Sequence, residues 1–168
     1  MMVSRTMLAG VLLLNASLAM ALDLGGLKSA VGGGNGSVLG SVNKSLADQQ
    51  ARDGQFEFQV GKAEFAPGNE KRVKGLLKVL TDHSSALKVA FPRYHVTAIG
   101  HTDADGNAAA NQKLSLARAN KVCSELKAKG LTVPCKAVGV GSSQPLVAQE
   151  KSAADKQRNR RVLVQVAK

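Results

Sequence analysis

Residues 94–126 limit the possible folds of this chain more than any other stretch does. They read YHVTAIGHTDADGNAAANQKLSLARANKVCSEL. The pattern predicts a strand over 94–100, an acidic turn over 103–106 and a long helix over 107–129, which Gly130 ends. A strand that leads directly into a helix is a building unit of folds in which helices pack on a sheet.

One face of the predicted helix carries an unusual residue. Leu114, Arg118, Val122 and Leu126 recur every four positions, so they share a face. Three of them are apolar and belong against a core, whereas a full charge at Arg118 is costly there unless it finds a partner. The nearest acidic residues lie in the turn before the helix. We therefore expect Asp103 and Arg118 to form a small charged pocket.

The position of this pocket suggests a ligand. Asp103 follows the carboxyl end of a strand, where open α/β sheets bind ligands. The start of the helix offers backbone N–H groups that suit a carboxylate, as does the planar guanidinium of Arg118. Asp103 would accept an ammonium, so the pair suits a zwitterion. Two alternatives remain: Asp103 and Arg118 pair with each other, or Arg118 extends to solvent.

Metal and catalytic sites are not predicted. His101, Asp103 and Asp105 are close in sequence, but the calcium-loop pattern fails because Gly106 comes too early and Leu114 stands at the last ligand position. None of the three histidines lies near a nucleophile motif or an acid/base partner. We expect no enzyme activity, no cofactor and no metal.

The N-terminus resembles a secretory signal peptide over residues 1–21. Arg5 supplies the positive charge, residues 8–14 are mostly apolar, and Ala19-Met20-Ala21 fits a cleavage site, with 17–19 as the alternative. An uncleaved anchor would need about 20 apolar residues. Export would place the protein in an oxidising compartment.

The two cysteines then become candidates for a disulfide. Cys123 lies on the predicted helix, and Cys135 follows Pro134 at the start of a strand. A bridge across so short a loop stabilises by about 3 kcal/mol in the chain-entropy model. The alternative is two buried free thiols.

The remaining pattern predicts the organisation of the chain. Residues 22–54 are expected to be a flexible, glycine-rich tail or linker, and residues 55–168 a folded domain. Asn69 is the expected cap of the first helix of that domain. Strands are predicted at 56–60, 94–100, 135–140 and 162–166, helices at 69–80 and 107–129, and a basic turn at 156–161. The fold class is α+β, with a β-α-β-α-β-β order and helices packed on one mixed sheet.

The net charge of +11 implies attraction to a polyanion or an anionic surface. Nucleic acid fits poorly, since the chain looks secreted and aromatic residues make up only 3% of it. The basic face of the first domain helix either is simply solvated or contacts an anionic polymer. Its residues are Lys71, Arg72, Lys74 and Lys78.

Several separated motifs resemble one family. They are Gly100-His101-Thr102-Asp103, Gly106, Asn111, Leu114-Ser115, Arg118-Ala119, Val122, Leu126, Gly139-Val140-Gly141, Pro145 and Asn159-Arg160-Arg161-Val162. Together they make residues 56–168 similar to the OmpA-like peptidoglycan-binding domain.

This resemblance implies non-catalytic binding of meso-diaminopimelate in the stem peptide of peptidoglycan. Asp103 matches the family residue that holds the ammonium, and Arg118 the one that holds the carboxylate. The other positions that match the pocket or its closing motif are Thr102, Asn111, Leu114, Asn159 and Arg161. One departure is that Val60-Gly61 replaces the family's frequent Phe-Asp.

The resemblance also implies a location and partners. The protein is expected in the periplasm of a Gram-negative-type envelope, with association with the outer membrane left open. The alternative function is that of a periplasmic adaptor or envelope-integrity protein, in which residues 22–54 recruit a protein partner and wall binding is weak or lost.

Overall fold

A three-stranded mixed sheet forms the centre of the computed structural model, which describes residues 35–59 and 61–168. The strands are β1 (His95–Gly100), β2 (Cys135–Gly139) and β3 (Val162–Ala167). Their order is β2-β1-β3, with β1 parallel to β2 and antiparallel to β3. The central strand is therefore the one that leads into the acidic turn.

The core lies on one face of this sheet. Ala98 of β1 sits opposite Ala137 of β2 and Val164 of β3. Along β3, buried and partly buried residues alternate, with Val162, Val164 and Val166 buried. The strand predicted over 162–166 is confirmed, and its residues alternate because successive side chains in a strand point to opposite faces.

Five helices surround the described strands. They are α1 (Asn35–Asp53), α2 (Glu70–Asp82), α3 (Ser84–Ala90), α4 (Ala108–Ala128) and α5 (Ala153–Asn159). Helix α4 packs on β1 and β2, and α1 packs on β3 and α2. The predicted α+β class, with helices packed on a mixed sheet, is confirmed.

Helix α4 approaches the sheet very closely. A Cβ atom at Gly100 would collide with the backbone carbonyl of Ser115, and one at Gly139 would lie 2.7 Å from the Ser115 hydroxyl. That hydroxyl donates to the carbonyl of Gln112 at 2.9 Å and accepts from the N–H of Gly141 at 2.9 Å. The two glycines thus let the helix backbone lie directly on β1 and β2.

Residues 35–53 correct the expectation of a flexible tail. They form helix α1, in which Val42 and Leu46 are buried in the core. The helix is rich in polar residues, so its periodicity is weak in the sequence. Packing against the rest of the domain, rather than intrinsic helix propensity, stabilises such a segment.

Two side-chain amides of α1 cover the outer edge of β3. Asn43 donates to the carbonyl of Val166 at 3.0 Å and accepts from its N–H at 2.7 Å. Gln50 does the same with Val164, at 3.1 and 2.8 Å. β3 is an edge strand, and these bonds satisfy backbone groups that a neighbouring strand would otherwise pair with.

The strand predicted over 56–60 is wrong for the described residues. Phe58 forms a single antiparallel bridge with Phe65 and does not join the sheet. The chain reverses between them, where Gly61 adopts a φ of +69°. This segment pairs only with the chain just after it, so its alternating pattern belongs to a local turn and not to a strand of the sheet.

Asn69 precedes α2 but does not cap it with its side chain. Its amide instead exchanges two hydrogen bonds with the backbone of Glu57, at 3.0 and 2.8 Å, and donates to the carbonyl of Ala66. Asn69 therefore occupies the predicted cap position, but its side chain does not form the capping hydrogen bond. The residue stabilises the reversed segment before the helix.

The basic turn predicted over 156–161 is also corrected. Helix α5 occupies most of it and begins with a capping box, in which the Ser152 and Asp155 side chains each accept from the other residue's backbone N–H. This pairing satisfies N–H groups that the start of a helix leaves free. A short helix forms as a result, and it lies next to the pocket described below.

The predicted disulfide is confirmed: Cys123 of α4 is bonded to Cys135 at the start of β2. The bridge joins the long helix to an edge strand of the sheet.

Some predictions fall outside the described residues. They concern the signal peptide over 1–21, the first part of the tail, and Val60. Among the helices that are described, none combines the length and apolar character needed to cross a membrane.

Candidate functional site

A cavity of about 450 Å³ opens beside the turn that follows β1. Helix α4 lines one side, α5 and the residue after it line another, and the reversed segment around Phe58 and Gly61 completes it. Five of the predicted binding residues line this cavity together, namely Thr102, Asp103, Asn111, Leu114 and Arg118.

Asp103 pairs with Arg160 and not with Arg118. Its Oδ2 atom accepts from Nη1 of Arg160 at 2.6 Å, and its side chain is 14% exposed. A charge-assisted bond this short is among the stronger hydrogen bonds in proteins. The alternative in which Asp103 and Arg118 neutralise each other is therefore wrong.

Arg118 is buried, with only 5% of the residue exposed. Its Nε atom donates to the carbonyl of Lys62 at 3.1 Å, and its guanidinium lies 5.1 Å from the ring centre of Phe58. It does not extend to solvent, so the second alternative is wrong as well. Within the described part of the chain, no carboxylate pairs with it.

This environment lowers the pKa of Arg118. Burial and the nearby Arg160 lower the pKa of its guanidinium, and Asp103 partly opposes them. Desolvation and a like charge both disfavour the charged form. An anion in the cavity would relieve both costs.

Thr102 and Asn111 differ in how their polar atoms are used. The Thr102 hydroxyl is buried and has no hydrogen-bond partner among the described residues. Asn111 donates to the carbonyl of Asp105 at 2.8 Å and more weakly to that of Asp103 at 3.4 Å. Asn111 thus holds the acidic turn, whereas Thr102 lines the cavity with its hydroxyl buried and unpartnered among the described residues.

Two of the backbone N–H groups at the start of α4 are already bonded within the protein. Asn107 caps the helix, and its side-chain oxygen accepts from the N–H groups of Ala109 at 2.8 Å and Ala110 at 3.1 Å. An Asn at this position normally satisfies these donors. These two N–H groups are therefore not available to a ligand carboxylate.

Asn159 and Arg161 are buried but do not line the cavity. Asn159 accepts from the N–H groups of Leu146 and Val147 and so holds the loop before α5. Arg161 donates to the carbonyl of Gln144 at 3.1 Å, and burial lowers its pKa to about 10. Both residues support the surrounding chain.

Sequence reasoning missed Arg160. This residue directly follows α5 and precedes β3, so the alternation of that strand does not place it. The signal in the sequence is its position in the motif Asn159-Arg160-Arg161-Val162, from which only Asn159 and Arg161 were selected.

Other lining residues were not predicted either. The aromatic rings of Phe56 and Phe58, together with Gln157 of α5, contribute to the wall. Asp105 also lines the cavity, but both of its oxygens accept from Lys156 at 2.7 Å. Tertiary contacts bring these residues together from distant parts of the sequence.

His101 lies next to the site but is neutral. Burial and the charge of Arg161 lower its pKa to about 4, and a hydrogen bond with the backbone of Gln144 partly opposes them. Throughout residues 35–59 and 61–168, no cluster of three or more His, Cys, Asp or Glu residues is placed to hold a metal ion.

Comparisons with solved structures agree on the fold. The cell wall anchor of the T6SS from Pseudomonas aeruginosa is 23% identical over 75% of this chain and 95% of that one, with a TM-score of 0.54. A putative MotB like protein from Desulfovibrio vulgaris is 18% identical over 80% and 94%, with a TM-score of 0.54. The OmpA-like domain of FopA1 from Francisella tularensis is 24% identical over 67% and 69%, with a TM-score of 0.52.

Sequence comparison gives the family. No curated protein matches the sequence significantly. The model of the OmpA family matches residues 57–160, which include the strand, the acidic turn, the long helix and Arg160. This match covers more than half of the chain and confirms the resemblance seen in the motifs. The chain therefore belongs to the OmpA family.

Proposed function

We propose that this protein binds peptidoglycan in the cell envelope by holding the zwitterionic end of meso-diaminopimelate in the cavity. The observation that carries this proposal is the buried guanidinium of Arg118, which lines the cavity without a carboxylate partner among the described residues. Leaving a buried charge unpaired costs several kcal/mol. A ligand carboxylate would supply the missing partner.

The neighbouring groups suit the rest of such a ligand. Asp103 would share its carboxylate with the ligand ammonium, and Thr102, the residue before it, also lines the cavity. Leu114 and Phe58 would contact the aliphatic chain between the charged ends. In this proposal Asn111, Asn159 and Arg161 act as positioning residues, because their hydrogen bonds hold the surrounding turns.

The role is non-catalytic, as membership of the OmpA family implies, and the solved relative from Pseudomonas aeruginosa is itself a cell wall anchor. The proposed location is the periplasm, reached through cleavage of a signal peptide at residues 1–21. The net charge, which is +11 for the full chain and falls by one when cleavage removes Arg5, would add attraction to an anionic wall that salt screens.

The test is co-sedimentation of the purified protein with diaminopimelate-type sacculi at low and high salt. We expect Arg118→Ala to lose the salt-resistant part of binding. The matched control is Lys113→Ala, which removes one positive charge from an exposed position on the same helix. Circular dichroism checks that both variants remain folded.

Binding that disappears with salt and is equal in both variants would contradict the proposal. It would mean that the basic surface acts alone. A protein partner that stays bound after the wall has been digested would then favour the adaptor function.

A further inference from the structure

The carboxylates of the cavity are already paired in the free protein. Asp103 accepts from Arg160 at 2.6 Å, and Asp105 accepts from Lys156 with both oxygens at 2.7 Å. Gly61, at the position where the family frequently has Asp, contributes no side chain, and a Cβ built on it would meet nothing within 4 Å. No described carboxylate that lines the cavity is thus left unpaired for a ligand ammonium.

Arg160 is held firmly in this position. Its Nε and Nη2 atoms donate to Oε1 of Gln157 at 3.2 and 2.7 Å, while Nη1 donates to Asp103. Three hydrogen bonds from one planar guanidinium fix its orientation. An ammonium that approaches Asp103 must share the carboxylate with Arg160 or displace it.

Arg118 is in the opposite situation. Its one hydrogen bond within the described chain goes from Nε to the carbonyl of Lys62, so its terminal nitrogens have no acceptor there. The charge of Arg160 lies close enough to lower the pKa of Arg118. A ligand carboxylate near both guanidinium groups would reduce their repulsion.

From this asymmetry we infer that the cavity recognises its ligand mainly by a carboxylate, and that Arg160 sets this specificity by competing with the ligand ammonium for Asp103. The inference rests on the proposed function and concerns the same site. It predicts that a carboxylate on the ligand contributes more to binding than an ammonium does. It also predicts that weakening the bond between Arg160 and Asp103 increases the contribution of the ligand ammonium to binding.

Three small molecules can separate the two contributions as competitors of sacculus binding. Meso-diaminopimelate carries both groups, heptanedioate has the same carbon chain and carboxylates without the amines, and 1,5-diaminopentane has the amines without the carboxylates. For the unmodified protein we expect heptanedioate to compete within about tenfold of meso-diaminopimelate. We expect 1,5-diaminopentane to be weaker than heptanedioate by about tenfold or more.

The decisive variant is Arg160→Gln, which releases Asp103. We expect the advantage of meso-diaminopimelate over heptanedioate to grow by about tenfold, since a hydrogen bond between charged groups has roughly this weight. Gln157→Ala is the second variant, because it removes an exposed side chain that holds Arg160 and leaves every charge in place. It should change the same ratio in the same direction by a smaller factor.

Different results would contradict the inference about Arg160 and the proposed function. If the ratio is unchanged or falls in both variants while meso-diaminopimelate still competes, the inference about Arg160 is wrong and the proposed function stands. If 1,5-diaminopentane competes as well as heptanedioate, the inference is again wrong. If no competitor displaces the protein and binding disappears with salt, the proposed function itself is wrong.

Discussion

The contact between α4 and the sheet allows a quantitative prediction for Gly100→Ala. The added Cβ atom would collide with the carbonyl of Ser115, which is backbone and cannot rotate away. Relief requires the whole helix to move, but the disulfide between Cys123 and Cys135 ties the helix to β2. The helix also carries Arg118, so any movement changes the cavity.

Overpacking a core by a methyl group costs about 1–3 kcal/mol, and more when the surroundings cannot adjust. Because the obstacle here is rigid, we expect the free energy of unfolding to fall by about 3 kcal/mol. With a urea dependence of about 2 kcal/mol per molar, the unfolding midpoint would drop by about 1.5 M.

The matched control is Gly40→Ala in helix α1. A Cβ atom at Gly40 meets nothing within 4 Å, and alanine is favoured over glycine inside a helix by up to about 1 kcal/mol. This variant should therefore raise the midpoint. Urea unfolding without reductant, followed by circular dichroism, measures both. An unchanged midpoint in Gly100→Ala would refute the reasoning about close packing.

Two further predictions concern stability. Asn43→Ala and Gln50→Ala should each lower the free energy of unfolding by about 1–3 kcal/mol. The first leaves the outer backbone groups of Val166 without partners, and the second those of Val164. Equal urea midpoints for variant and parent would contradict this. The lowered pKa of His101, about 4 against an ordinary 6.5, means that the unfolded chain binds a proton between these pH values and the folded protein does not. Stability should therefore fall as the pH drops from about 6.5 to 4, by up to about 3 kcal/mol, and urea midpoints across this range should depend less on pH in His101→Gln.

Local sequence determined the central part of this fold. The strand β1, the acidic turn and helix α4 follow one another without interruption, and their patterns were sufficient to predict them. The alternation of β3 and the bridge between Cys123 and Cys135 were also readable. In each case neighbouring residues, or a pattern with a simple period, carry the information.

Local patterns failed where a segment depends on distant parts of the chain. Helix α1 has a weak apolar periodicity, and its place is decided by Val42 and Leu46 in the core and by amides that bond to β3, more than 100 residues away. The segment around Phe58 alternates like a strand, yet it pairs with Phe65 across a tight turn. In both cases tertiary contacts override a local preference.

The same division applies to the site. Sequence alone determined that Asp103 lies in the turn and Arg118 on the helix of one strand–turn–helix unit, and that the pair is chemically suited to a zwitterion. Only the tertiary structure decided that Asp103 pairs with Arg160, 57 residues away, and that Arg118 rests on Phe58 without a described carboxylate. The physical reason is that a charge pair depends on distance in space, and the path of the chain from α5 into β3 brings Arg160 to the turn after β1.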